Sequence, residues 1–225
     1  MLTGAGMSVE SGLSTFRGAG GLWGKERVED VATIQAWYRD KQKVLDFYNL
    51  RRKELLGVKP NEGHLILAEL EKDFDVEIIT QNVDNLHEQA GSTHVTHLHG
   101  ELMKVRSTGP GEEVFDLTTD NYETHVGDLC PKAYQLRPYI VWFGEAVPEM
   151  EKAINITEQS DIFVVIGTSL NVYPAAGLLN YVPSGAVVYL IDPNDVYVNG
   201  RNITIIKKGA GEGLKELKEI LNNKE

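Results

Sequence analysis

Three stretches of the chain are apolar almost without interruption: "VEIIT" (76–80), "IFVVIGTSL" (162–170) and "AVVYLID" (186–192). Such runs predict strands covered on both faces, as in a parallel sheet. The opening "MLTGAG" reads as the end of a further strand entering a glycine turn, short because the chain begins almost at the turn. Helical spacing appears elsewhere. "KQKVLDFYNLRRKELL" (41–56) sets Val44, Leu45, Tyr48, Leu55 and Leu56 along one face. "PNEGHLILAELEKDF" predicts a second helix with Pro60 and Asn61 as entry signals, and "GEGLKELKEILNN" an amphipathic helix near the end. Strands alternating with helices predict an α/β fold, a doubly wound parallel sheet. Ligands of such sheets sit beyond the carboxyl ends of the strands.

Residues 103–137 break this pattern. The stretch is poor in apolar residues and rich in turn formers, and reads as a small loop-rich insertion. No repeat or low-complexity segment is present. The length of 225 residues suits one large domain, or a domain with a smaller companion. The net charge of −11 and the lack of a basic run longer than "RRK" (51–53) argue against a nucleic-acid partner. No apolar run reaches the ~20 residues of a membrane helix, and Gly4, Gly6 and Glu10 interrupt any signal-like stretch. The single Cys130 excludes an internal disulfide and suits the cytoplasm.

The polar residues cluster where a parallel sheet binds ligands. "GAGMSVESG" places Gly4, Gly6 and Gly12 after a strand end, fitting either a dinucleotide phosphate turn or a plain tight turn. "STFRGAGGLWG" follows, with four glycines in the seven residues from Gly18; it reads as a cofactor lid or as a solvent loop. "TQNVDNLH" offers Gln81, Asn82 and Asp84, with the last two spaced to face one way. They suit ribose hydroxyls and a carboxamide, or a capped strand-end turn. "HVTHLHGEL" offers His94, His97 and His99. Alternate spacing sets His97 and His99 on one face, but no third metal ligand is evident. His99 precedes Gly100, which would leave the imidazole room to face a ligand as a general base. "IGTSL" adds Gly167, Thr168 and Ser169 at another strand end, for phosphate or ribose or as a turn.

In this order, "GAGMSVESGLSTFRG", "TQNVDNLHEQAG", "HLHGEL", "RPYIVWFGEAVP" and "GTSLNVYPAA" resemble the sirtuin family of NAD-dependent protein-lysine deacylases. The resemblance covers nearly the whole chain. It implies a Rossmann-like NAD-binding domain from 1–24, 61–102 and 138–225, and a small domain from a helical insertion (25–60) and a degenerate zinc-ribbon-like insertion (103–137). It implies that Gly4, Ala5, Gly6, Ser8, Glu10, Phe16 and Arg17 lie along NAD, used as co-substrate. Gln81, Asn82 and Asp84 would surround the nicotinamide and its ribose. Gly167, Thr168 and Ser169, with Asp192 and Asn194 of "LIDPN", would hold the adenosine side. Val141, Trp142, Phe143, Gly144 and Glu145 would line an acyl-lysine channel and pair with substrate backbone by strand addition. In the implied reaction the acyl oxygen attacks C1′ of the nicotinamide ribose, with Asn82 positioning. His99 then takes a proton from a ribose hydroxyl. The products are nicotinamide, O-acyl-ADP-ribose and free lysine, and the partners are acylated-lysine proteins or peptides.

Three departures or refinements matter. The family's adenosine-contacting Asn is here Asp192. The two Cys-x-x-Cys pairs that usually bind structural zinc read "STGP" (107–110) and "CPKA" (130–133), so zinc is not expected, and Val114, Phe115, Leu117 and Tyr122 are expected to hold the insertion instead. Tyr48 and Arg51, three apart on a helix, match the branch that removes succinyl and malonyl groups, and Ala32 matches its pocket-widening small residue. A dehydrogenase, a non-catalytic NAD-binding module and a protein ADP-ribosyltransferase are the rival classes. The first gives no reason for "TQNVDNLH" and "HLHG", the second need not keep His99, and the third breaks the same glycosidic bond.

Overall fold

A computed structural model describes residues 1–15, 27–196 and 202–223. Six strands form one all-parallel sheet: β1 (Leu2–Thr3), β2 (Ile78–Thr80), β3 (Val95–His97), β7 (Ile162–Ile166), β8 (Val187–Ile191) and β9 (Ile203–Ile206). Their order is β3-β2-β1-β7-β8-β9. The chain therefore winds outward from β1 in one direction, then returns and winds outward in the other. β1 and β7 flank the point of reversal, where a doubly wound sheet opens a crevice.

The apolar runs do what a two-sided sheet demands. On β7, Val164 and Ile166 face a core with Leu67 and Leu70 of α4 (Glu62–Leu70) and Leu214 and Leu217 of α7 (Ala210–Asn222). Phe163 and Val165 face the opposite core, with Ala153 of α6 (Met150–Glu158) and Leu178. Both sets alternate with period two along one strand, so every position is apolar. The predicted helix over 41–56 is α3 (Lys41–Leu56), opened by the Asp40 side chain accepting from the Lys43 N–H at 3.0 Å. α4 is opened by Asn61 Oδ1, which accepts from Gly63 and His64, while Asn61 Nδ2 donates to the Met7 carbonyl.

A three-stranded antiparallel sheet, β5-β4-β6, joins β4 (Gly100–Ser107), β5 (Val114–Asp116) and β6 (Leu136–Ile140). It packs beside α3, α1 (Val28–Val31) and α2 (Ile34–Arg39) around a third core containing Trp37, Leu45, Tyr48, Leu102 and Trp142. The expected apolar support of the insertion is overturned. Val114 is exposed, and Phe115, Leu117 and Tyr122 are only half-buried. Polar side chains tie the insertion down instead. Asn49 Nδ2 donates to the Thr124 carbonyl (3.0 Å), and Asn49 Oδ1 accepts from Thr124 N (2.9 Å) and from Arg52 (2.8 Å). Arg52 is fully buried and also donates to the Leu102 carbonyl. Helix α3 thus buries a polar stripe that apolar periodicity could not register.

The residues present do not fit a structural zinc. Ser107 Oγ and Cys130 Sγ stand face to face at 3.3 Å, but the remaining two ligand positions are Pro110 and Ala133. Asp128 accepts from the His125 N–H, and among the described residues these two do not gather with Cys130 at ligand distance. A closed zinc site needs four ligands. Asn49→Ala should therefore lower unfolding stability by about 1–2 kcal/mol, the scale of buried hydrogen bonds left unmade. EDTA should leave Tm unchanged. A Tm that drops on chelation would show a metal doing this work.

Two histidines are buried between α4 and α5 (Leu86–Ala90). His64 and His87 meet edge to face at 4.9 Å, and His64 Nε2 and His87 Nδ1 lack partners among the described residues. Burial lowers the pKa of His64 to about 4 and that of His87 well below the usual 6.5. The unfolded chain binds these protons near pH 6.5 and the folded chain does not, so stability falls as pH drops below 6.5 and continues to fall towards 4. The slope is about 1.4 kcal/mol per pH unit for each group fully in this regime. Urea midpoints measured from pH 7 to 4.5 should decline, and His64→Gln should flatten the decline. A flat wild-type profile would contradict this.

Candidate active site

The site forms where strand ends meet at the reversal point. Gly4 N donates to the Ile166 carbonyl and Gly6 N to the Gly167 carbonyl, at 3.0 and 2.9 Å. A Cβ on Gly6 would lie 2.7 Å from Gly167 Cα, and Gly167 itself has φ +59°. These glycines let two strand-end loops touch backbone to backbone, closing the floor of the crevice. After Gly4 the chain turns through a short 3-10 helix, Ala5–Ser11.

Asn82 and Asp84 do face one way: both converge on Ser8. Asn82 Nδ2 donates to Ser8 Oγ (3.2 Å), and that hydroxyl donates to Asp84 Oδ2 (3.0 Å). All three are buried. Burial raises the Asp84 pKa, opposed by donation from the Leu86 N–H and Ser8 and by the positive charge of His97. Gln81 Nε2 donates to Thr168 Oγ1 at 3.1 Å, linking the loops after β2 and β7. Ala5, Ser8, Asn82, Asp84 and Arg51 line one cleft. Ser169 is exposed at its strand end.

His99 is half-buried and its Nδ1 lies 3.0 Å from the Gln81 carbonyl. A carbonyl only accepts, so Nδ1 carries the proton and the neutral ring presents an unprotonated Nε2. That nitrogen has no partner among the described residues. Burial lowers the ring's pKa, partly offset by the Gln81 bond. At neutral pH the His99 ring is thus neutral, with an Nε2 able to accept a proton. Gly100 has a reason other than the one expected from sequence. Its φ is +81°, and any Cβ would collide with the Tyr139 carbonyl of β6. Packing against β6 by itself therefore requires glycine at this position.

Other expected contacts stand as follows. Glu10 accepts from the Gly211 N–H at 3.2 Å, at the start of α7. Asp192 Oδ1 accepts from the backbone and side-chain nitrogens of Asn194. Phe16, Arg17 and the glycine-rich stretch 18–24 lie outside the described residues. In the 141–145 segment, Val141 N donates to the His99 carbonyl, Phe143 N to Ala32, and Glu145 N to Trp142. Trp142 N donates to the Glu145 carboxylate. Strand addition there would have to use carbonyls and the Gly144 N–H. Arg137 grips Glu145 through two bonds (2.7 and 3.0 Å) and stacks on the Trp142 ring, whose Nε1 donates to the Tyr48 hydroxyl at 3.0 Å. Arg51 pairs with Glu54 one turn along α3. Sequence reasoning missed Glu54 and Arg137, although the i, i+3 spacing of Arg51 and Glu54 was a usable signal.

A doubly wound sheet carrying a polar crevice at its reversal point, with a second small sheet beside it, defines an α/β protein of the ligand-binding, doubly wound class. The Sir2 family model matches residues 4–174, and the chain belongs to that family. It is 60% identical over 225 residues to an NAD-dependent protein deacylase of Bacteroides thetaiotaomicron, covering 98% of this chain and 96% of that protein. It is 47% identical over 218 residues to one of Helicobacter pylori (strain ATCC 700392 / 26695), covering 96% and 94%. A solved Sir2 homologue–NAD complex superposes with TM-score 0.88 at 38% identity, covering 99% of this chain and 88% of that one. A Sir2–p53 peptide–NAD+ complex superposes with TM-score 0.82 at 30% identity, covering 98% and 92%.

Proposed function

We propose that this chain is an NAD-dependent protein-lysine deacylase acting on acylated lysines in proteins or peptides. The observation that carries the proposal is His99, neutral, fixed through Nδ1 and open at Nε2, next to the Ser8–Asn82–Asp84 cluster. The crevice suits NAD: backbone and small side chains form its floor, and convergent amide, hydroxyl and carboxylate groups form its wall. NAD, when bound, supplies the ribose carbon that accepts the acyl oxygen as nicotinamide leaves. Gln81, Asn82 and Asp84 orient the nicotinamide ribose, and His99 Nε2 takes the hydroxyl proton. Gly4, Ala5, Gly6, Ser8, Gly167, Thr168 and Ser169 are assigned to the rest of the dinucleotide. Glu10, Phe16, Arg17, Asp192 and Asn194 belong to the same assignment. The helical segment 25–60 and the insertion 103–137 are read as one small domain over the crevice. No helix among the described residues is long and apolar enough to cross a membrane, and we read the enzyme as cytoplasmic.

The acyl pocket is assigned to Ala32, Tyr48, Arg51 and Val141–Glu145, with succinyl- and malonyl-lysine favoured over acetyl-lysine. Arg51 is a buried cation in the same cleft as Asn82 and Asp84, which supports the reading. The test is incubation with NAD and a panel of acyl-lysine peptides. Nicotinamide should appear one for one with free lysine, and only with acyl peptide present. ADP-ribose label retained on protein would indicate a transferase instead, and reduced nicotinamide a dehydrogenase.

A further inference from the structure

His97 and His99 latch onto consecutive carbonyls, Asn82 and Gln81, each through Nδ1. Their other nitrogens differ. His99 Nε2 has no partner among the described residues, whereas His97 Nε2 lies 2.7 Å from Glu88 Oε1, with its Nδ1 3.1 Å from the Asn82 carbonyl. Neither acceptor of His97 can donate. A carbonyl never does, and a carboxylate does so only when protonated. Burial is the largest single influence on Glu88 and opposes its ionisation, but the His97 bond and charge, with a backbone bond and Lys104, together hold that carboxyl below its ordinary range. A neutral imidazole has one N–H and satisfies one acceptor; two acceptors require both nitrogens protonated.

We propose that His97 is a positioning residue, held as an imidazolium between Glu88 and the Asn82 carbonyl, that fixes the Asn82 peptide and supplies the cation facing buried Asp84. This rests on reading Asn82 and Asp84 as the nicotinamide-ribose contacts. Two histidines two residues apart thereby hold opposite protonation states, one charged to shape the site and one neutral to act as base.

The charged surroundings agree. Glu88 from α5 and Glu101 from β4 face the ring with negative charge and raise its pKa against the effect of burial. Asp84 on the intervening loop gains from its positive charge. Lys104 of β4 acts on Glu88, and His87 of α5, whose pKa is pushed well down, stays neutral beside it. A raised pKa means the clamp is intact at lower pH and is lost as pH rises through that pKa. The ring must then release one acceptor. The neutral Asn82 carbonyl is the weaker partner.

Two measurements test this. Long-range proton–nitrogen spectra of the folded wild-type chain at pH 7 should show both His97 ring nitrogens protonated; a neutral-ring pattern overturns the proposal. In steady-state kinetics at saturating acyl peptide, kcat/KM for NAD should fall on the alkaline side. Glu88→Gln should move that fall down by about one pH unit, the scale of one lost charge partner. His97→Asn keeps a donor for the Asn82 carbonyl but no charge. It should abolish the alkaline fall and raise KM for NAD about tenfold (1.4 kcal/mol) with kcat little changed. Profiles of both variants that superimpose on wild type overturn the proposal. Asn82→Ala with unchanged KM for NAD overturns the parent reading and the kinetic consequence with it, while the spectra still decide the charge.

Discussion

His99→Ala loses deacylation by at least ~10²-fold, the typical contribution of a positioned general base. The reason is specific to this ring. Its Nδ1–H is committed to the Gln81 carbonyl, so Nε2 is the one nitrogen able to take a proton. Alanine removes the base and also leaves that carbonyl without its donor, which would cost about 1 kcal/mol of stability. His99→Asn separates the two effects, because its amide can still donate to Gln81 while it cannot act as a base near neutral pH. Both variants should be equally inactive, and asparagine should restore the stability that alanine loses. The wild-type acid limb follows from the same geometry. The base works when unprotonated, and burial holds its pKa below 6.5, so activity should persist to pH values somewhat below 6.5 before falling. Near-full turnover in folded His99→Asn would remove His99 from the chemistry.

Strands β2, β7 and β8 were legible because burial on both faces leaves a simple trace, uninterrupted apolar runs such as "FVVI" in β7, whereas the edge strand β9, with Thr204 and Ile205 exposed, was not foreseen. Helix α3 was legible in its bounds and in most of its apolar face, for Val44, Leu45, Tyr48 and Leu55 are buried, but its buried polar stripe was not. Leu56 belongs to the apolar pattern but is exposed, while Asn49, Arg51 and Arg52 are buried. Hydropathy cannot foresee a polar stripe whose partners, Thr124 and Leu102, lie far along the chain. The same limit applied to the site. The spacing of Asn82 and Asp84 suggested a shared direction, but their meeting point is Ser8, 74 residues from Asn82 and 76 from Asp84. Gly100 shows the same limit: the need for glycine there has a distant cause, the Tyr139 carbonyl, that local sequence could not show.

Arg51→Met should slow removal of succinyl and malonyl groups by ~2–3 kcal/mol, the scale of a charge-assisted hydrogen bond, or roughly 30- to 150-fold at 1.4 kcal/mol per decade. Deacetylation should be spared. The Arg51 side chain is 9% exposed and that of Glu54, its partner, 43%. With an acetyl substrate this arginine is not left uncompensated, because Glu54 already neutralises it. The gain from a substrate carboxylate is then the difference between two carboxylates competing for one guanidinium, so the preference over acetyl-lysine should be moderate and deacetylation should be retained. Methionine fills similar volume without charge, and the released Glu54 can turn to solvent at little cost, so the variant should fold. Glu54→Gln provides the complementary measurement. With the internal competitor gone, the ratio of desuccinylation to deacetylation should rise above wild type. Should Arg51→Met instead reduce both activities equally, the arginine serves only the packing of α3, and the acyl group must be read by other residues of the channel.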